Sequence, residues 1–118
     1  MSEGPYAAID CGSHSTRLLI MRGDATLVRQ VELTKLGQGL DATGALHPEA
    51  LERVYAALHR YRALLDDHQV DPGRVRVAAT AAARDASNGA EFIAAAARIV
   101  GSPAEVLSGT AEGELTFL

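Results

Sequence analysis

The chain has 118 residues, of which 47% are hydrophobic and 22% charged, with a formal net charge of −4. That composition excludes a disordered tail, and the acidic balance argues against non-specific binding to nucleic acid or to an anionic membrane. The single Cys11 excludes an intramolecular disulfide, the four histidines do not fall at zinc-ligand spacing, and no run approaches the roughly 18 apolar residues of a membrane helix. The opening Met1-Ser2-Glu3-Gly4-Pro5 lacks the layout of a signal peptide, so a cytoplasmic location is expected. Twenty-two alanines against five aromatics imply a core of small pieces in which helices pack closely.

Tyr6-Ala7-Ala8-Ile9 reads as a strand ending at Asp10, and Leu18-Leu19-Ile20-Met21 as a second one after a tight turn. Residues 27–36 alternate well enough for a half-buried antiparallel strand with one slip in register. A glycine-dense loop follows over residues 37–44, and Pro48 marks a helix start. Leu51, Val54, Tyr55, Leu58, Tyr61 and Leu65 then share one helical face, which stops near Asp66-Asp67-His68.

Asp71-Pro72-Gly73 turns the chain into a strand over residues 75–80. Asn88 with Glu91 has the spacing of a capping box, opening a second helix that ends at Gly101. After Pro103, residues 104–107 read as a short strand, and Ser108-Gly109 as the start of a third helix whose apolar end, Leu115-Thr116-Phe117-Leu118, has no stop signal. The chain is therefore expected to stop within an element and to be part of a longer protein.

The resulting order is βββαβαβα. A meander followed by helical crossovers predicts a mixed five-stranded sheet in an α/β fold, with a ligand at the carboxyl ends of the strands. Asp10, Thr80 and Ser108 all fall at that edge.

The turn Asp10-Cys11-Gly12-Ser13-His14-Ser15-Thr16 has the residues of a phosphate cradle. Glycine permits close approach, serines donate hydrogen bonds, and Asp10 could hold magnesium opposite the phosphate oxygens. The same residues also suit a plain hairpin turn. Arg84, expected in a loop at the same edge, could clamp a phosphoryl group, or simply pair with Asp85 at the surface. Glu112, in the first turn of the last helix, could activate a water, although the helix dipole alone favours a glutamate there. Gly37-x-Gly39 lacks the third glycine of a dinucleotide fingerprint, and Cys11 is expected to pack as a small apolar residue rather than act as a nucleophile.

The segments AAIDCGSHSTRLLI, TKLGQGLDATGALHPEALERV, VRVAATAAARDASNGAEFI and EVLSGTAEGELTFL resemble, in that order, the N-terminal region of the exopolyphosphatase and guanosine pentaphosphate phosphohydrolase family. The resemblance implies an actin-like, ribonuclease-H-like fold, with residues 1–118 forming the N-terminal part of a first domain and a second phosphate-loop domain lying elsewhere. It implies magnesium-dependent hydrolysis of the terminal phosphoanhydride of polyphosphate or guanosine pentaphosphate, and a homodimer in the whole protein. Asp10, Gly12, Ser13 and Ser15 match the first phosphate loop, with His14 between them as a further substrate-binding position, Arg84 the substrate-contacting arginine, and Glu112 the base that activates water. Departures are His14 where the family usually has asparagine, which replaces an amide donor in the loop by an imidazole, Ala81 and Ala83 at positions often held by larger residues, and Gly113 after the glutamate. A non-catalytic polyphosphate or alarmone-binding module and a small-molecule kinase of the same fold are the competing expectations.

Overall fold

The computed structural model of the protein describes residues 4–107. Strand β1 (Tyr6–Cys11) and strand β2 (Thr16–Arg22) pair antiparallel from Cys11↔Thr16 to Tyr6↔Met21, joined by a turn closed by a 2.9 Å hydrogen bond from the Gly12 N–H to the Ser15 carbonyl. Alternation places Ala7, Ile9 and Cys11 of β1, with Thr16, Leu18 and Ile20 of β2, on one buried face. Strand β3 (Ala25–Glu32) pairs with β2, and the expected slip is present: Ile20 faces Val28 while Met21 faces Thr26, leaving Leu27 as the extra residue of a bulge.

β3 departs from the strand that its residues predict. The strand ends at Glu32 rather than at residue 36, and it is largely exposed, with Val31 58% accessible. The cause is position: among the described residues β3 is a sheet edge with only β2 beside it. Its alternation describes a strand but not a buried face. Arg60 of the following long helix forms an ion pair with Glu32 at its end.

A short helix, α1 (Leu40–Thr43), interrupts the glycine-dense segment expected to be all loop, with Gly39 and Gly44 both at positive φ on its flanks. Helix α2 (Pro48–Asp67) begins with proline at its first position, as expected. It buries Val54, Leu58, Tyr61 and Leu65 in the same core as Ile9, Leu18, Ile20 and Val77. Deep in that core the Tyr61 hydroxyl donates to the Thr16 carbonyl at 2.7 Å, and the Thr16 and Thr34 hydroxyls are 2.7 Å apart.

A single 3₁₀ turn (Pro72–Arg74) leads into β4 (Val75–Ala79), which lies parallel to β1. Helix α3 (Ala81–Asp85) and helix α4 (Gly89–Val100) follow, and β5 (Ala104–Val106) adds parallel to β4. The sheet order is β3-β2-β1-β4-β5, the mixed five-stranded sheet that the element order implies. The Tyr55 and Phe92 rings stack at 6.0 Å between α2 and α4, and Arg62 of α2 donates at 3.0 Å to the carbonyl of Val100 in the last turn of α4. Gly101 ends α4 in the left-handed region.

The capping box does not form. Asn88 instead accepts from the Leu46 N–H at 2.7 Å and donates to the Leu46 carbonyl at 3.1 Å, tying the start of α4 to the segment before α2. Helix α3 is also an addition to the expected order, and the alanine run at residues 81–83 accounts for it through helix propensity. The helix expected after Ser108-Gly109 lies outside the described residues. Among the described residues no helix is long and apolar enough to cross a membrane.

Candidate active site

Parallel pairing puts the ends of β1 and β4 side by side. Cys11 faces Ala79, and the Thr80 N–H donates to the Cys11 carbonyl at 3.2 Å. The Leu107 N–H donates to the Ala79 carbonyl at 3.0 Å, so the end of β5 reaches the same edge. The expected convergence of three strand ends holds as far as Leu107; Ser108 itself lies outside the described residues.

Asp10 is half-buried at the end of β1, with its Oδ1 shielded from water. The turn over residues 12–15 is tight. A Cβ added at Gly12 would lie 3.1 Å from the Ser15 carbonyl oxygen and 3.9 Å from Thr80 Oγ1, so glycine brings the backbone against the neighbouring strand end. Arg17 Nε donates to Ser15 Oγ at 3.4 Å. A second segment clamps the turn: the Lys35 N–H donates to the His14 carbonyl at 2.9 Å and the Gly37 N–H to the Ser13 carbonyl at 3.0 Å. Gly37 matters here as a close approach, since an added Cβ would meet Ser13 Cβ at 3.4 Å.

Between these two segments and α3 opens a cleft of about 450 Å³. Ser13, His14, Lys35, Gln38, Asp41 and Asp85 supply its polar lining. Residue type and spacing alone do not mark Lys35 and Gln38 as cleft residues. The available signal was that Lys35 is the only lysine in the chain and stands at the entry to a glycine-dense segment. The Gly37-x-Gly39 pair is no dinucleotide fingerprint, yet Gly37 matters to the cleft because it lets its segment pack on the residue 12–15 turn.

Arg84 stands in α3 rather than in a loop, because the Ala83 and Arg84 N–H groups both reach back to the Thr80 carbonyl, at 3.1 and 3.3 Å. Its Nη1 donates to the Leu107 carbonyl at 3.0 Å, and its Nε lies 3.6 Å from Asp85 Oδ1. It therefore faces the end of β5, beside the cleft rather than among its lining residues. Glu112 lies outside the described residues.

Cys11 is 1% exposed, and burial, with the Asp10 carboxylate adding to it, pushes its thiol up to about 12. A thiol so protonated is a poor nucleophile and packs as a small apolar group. Among the described residues no group of three or more His, Cys, Asp or Glu side chains could hold a metal by itself.

The description of the Ppx/GppA phosphatase family matches residues 9–118. Exopolyphosphatase 2 of Mycobacterium tuberculosis is 44% identical over 124 positions, covering 94% of this chain and 38% of its own length. Among solved structures, the Ppx/GppA family member of Aquifex aeolicus superposes with a TM-score of 0.85 at 33% identity, over 93% of this chain and 37% of that one. An exopolyphosphatase from Cytophaga hutchinsonii gives 0.84 at 32% identity, over 94% and 36%. The chain thus spans little more than a third of the length of these relatives. The fold is the actin-like one that the resemblance implied. With the family's description matching residues 9–118 and a 44% identical relative covering 94% of it, the chain belongs to the Ppx/GppA phosphatase family.

Proposed function

We infer that the whole protein hydrolyses the terminal phosphoanhydride bond of inorganic polyphosphate, and that this chain supplies one wall of the active site. The observation that carries the reading is the meeting of the residue 12–15 turn with the ends of β4 and β5 at a single edge, beside an open cleft. The names of the M. tuberculosis and C. hutchinsonii relatives support the substrate.

In this mechanism Gly12 lets the terminal phosphate approach the backbone, and the Ser13 and Ser15 hydroxyls orient its oxygens. Arg84 lies within the same edge to offset charge that develops on the transferred group. Glu112 orients a water and accepts its proton as the water oxygen bonds to phosphorus and the bridging P–O bond breaks, the shortened chain departing with the bridging oxygen.

Asp10 is the residue that would hold magnesium. Its fit follows from its chemistry: magnesium commonly uses one or two carboxylates, completing its shell with water and substrate phosphate, so a lone half-buried carboxylate at a strand end is an adequate protein ligand. When bound, the ion would neutralise charge on the phosphate oxygens. Guanosine pentaphosphate presents the same terminal anhydride and is a second substrate on this reading. Homodimerisation of the whole protein is carried by the family resemblance.

The test is phosphate release from polyphosphate and from guanosine pentaphosphate by the whole protein in the presence of magnesium. Glu112→Gln is expected to lower turnover at least about 100-fold while polyphosphate still binds. Unchanged turnover would remove Glu112 from the mechanism, and binding with no release by wild type would make the protein a polyphosphate sensor instead.

A further inference from the structure

The cleft beside the phosphate loop contains one residue whose backbone conformation is unusual. Lys35 has φ +52°, in the left-handed region that residues other than glycine rarely adopt. Such conformations persist where the surroundings over-determine them, and they concentrate at ligand sites. Here the surroundings are explicit. The Lys35 N–H donates to the His14 carbonyl at 2.9 Å, and its carbonyl accepts from the Gln38 N–H at 3.0 Å.

Arg53, half-buried on α2, grips both sides of this residue. Its Nε donates to the Thr34 carbonyl at 2.7 Å, and its Nη2 to Gln38 Oε1 at 2.7 Å and to the Lys35 carbonyl at 3.4 Å. One guanidinium thus braces the residues on either side of Lys35 as well as its own carbonyl. Because the Gly37 N–H donates to the Ser13 carbonyl, the brace also fixes this segment against the phosphate loop.

The outcome is an exposed lysine on a rigid backbone, lining the same cleft as Ser13 and His14. Asp41 and Asp85 also line that cleft. Their charges oppose a polyanion, whereas Lys35 is the one lysine or arginine among the described cleft-lining residues and supplies the attraction. A mobile ammonium on a fixed base suits successive phosphates of a linear chain better than a single rigid geometry.

We propose that Lys35 is a substrate-binding residue that contacts the phosphate chain beside the residue 12–15 loop, and that Arg53 is the residue that positions it. The assignment rests on the polyphosphate reading of this site.

The test uses the whole protein with long-chain sodium polyphosphate, measuring kcat and KM across a series of potassium chloride concentrations. Lys35→Met is expected to raise KM about 10-fold with kcat within about 2-fold of wild type, the loss of one charge-assisted contact. The slope of log KM against log salt should fall by about 0.7, the loss of one counterion-releasing contact to a linear polyanion. Lys35→Arg should restore most of both. The Lys35 side chain is exposed, so Lys35→Met should melt within about 2 °C of wild type.

Arg53→Met alone is expected to raise KM about 5-fold, and to add less than about 2-fold when combined with Lys35→Met, because the two act through one contact. Multiplying effects would reduce Arg53 to a structural brace and overturn its positioning role. A Lys35→Met protein with wild-type KM and wild-type salt slope overturns the proposal. A wild-type protein that releases no phosphate from polyphosphate overturns instead the reading on which the proposal rests.

Discussion

Tyr61 and Cys11 show how single side chains set conditions for the whole. Burial pushes the Tyr61 hydroxyl up to about 12, with the Glu32 carboxylate adding to the shift, and pushes the Cys11 thiol to about the same value. Both groups stay neutral in the folded protein while their unfolded counterparts ionise near 10 and 9. Their contribution is therefore fully present below about pH 9 and is lost as the pH rises through about 12. Denaturant melts from pH 7 upward should show constant stability to about pH 9 and a decline beyond it. Tyr61→Phe should lower stability at pH 7 by about 1–2 kcal/mol, since the buried Thr16 carbonyl loses its donor, and should weaken the alkaline decline by removing one of the two groups. Cys11 should also resist a thiol reagent in the folded state, as its burial dictates.

Among the elements, the joint between α3 and α4 is the most exacting. A Cβ added at Gly89 would collide with the Ala83 carbonyl, so Gly89 is what allows the two helices to meet. Gly89→Ala is expected to cost about 3 kcal/mol despite alanine's better helix propensity, because backbone must move; a calorimetric melt checks it. On the proposed reading, in which Arg84 of α3 acts on the phosphoryl group, the same variant should also impair phosphate release in the whole protein. Asn88 offers a second discrimination. As an N-cap it would tolerate aspartate, which caps equally well. Paired to both the N–H and the carbonyl of Leu46, it cannot, for Asn88→Asp removes a donor and turns a carboxylate oxygen toward a carbonyl. A loss of about 2 kcal/mol is expected, and a neutral Asn88→Asp would restore the capping reading.

At the scale of the molecule, the chain spans little more than a third of its relatives' length. On the proposed reading it carries one wall of a site and not a complete one. The 118-residue chain alone is therefore expected to release phosphate from polyphosphate at least about 100-fold more slowly than the whole protein, since positioning from both walls is what lowers the barrier. A chain that matched the whole protein would show that the described cleft and the segment bearing Glu112 are sufficient by themselves.

Local patterns made most of the fold legible. The places of β1, β2 and β4, though not their exact ends, the start of α2 at Pro48, the end of α4 at Gly101 and even the slip in β3 follow from side-chain period and from proline and glycine, which act within a few residues along the chain. The order of elements was enough to imply the sheet and the edge where Asp10 and Thr80 meet. What lay beyond the sequence depends on contacts between distant segments. Whether β3 was buried depended on which strand became the edge, and the role of Asn88 depended on Leu46, 42 positions away. The same holds for the candidate site: Asp10 to Ser15 suit a phosphate loop by type and spacing, whereas Lys35 lines the cleft beside them only because Arg53, Gly37 and His14 hold its segment in place. Short-range sterics and periodicity are written in the order of residues; burial, and the partner each polar group finds, are settled only when the chain packs.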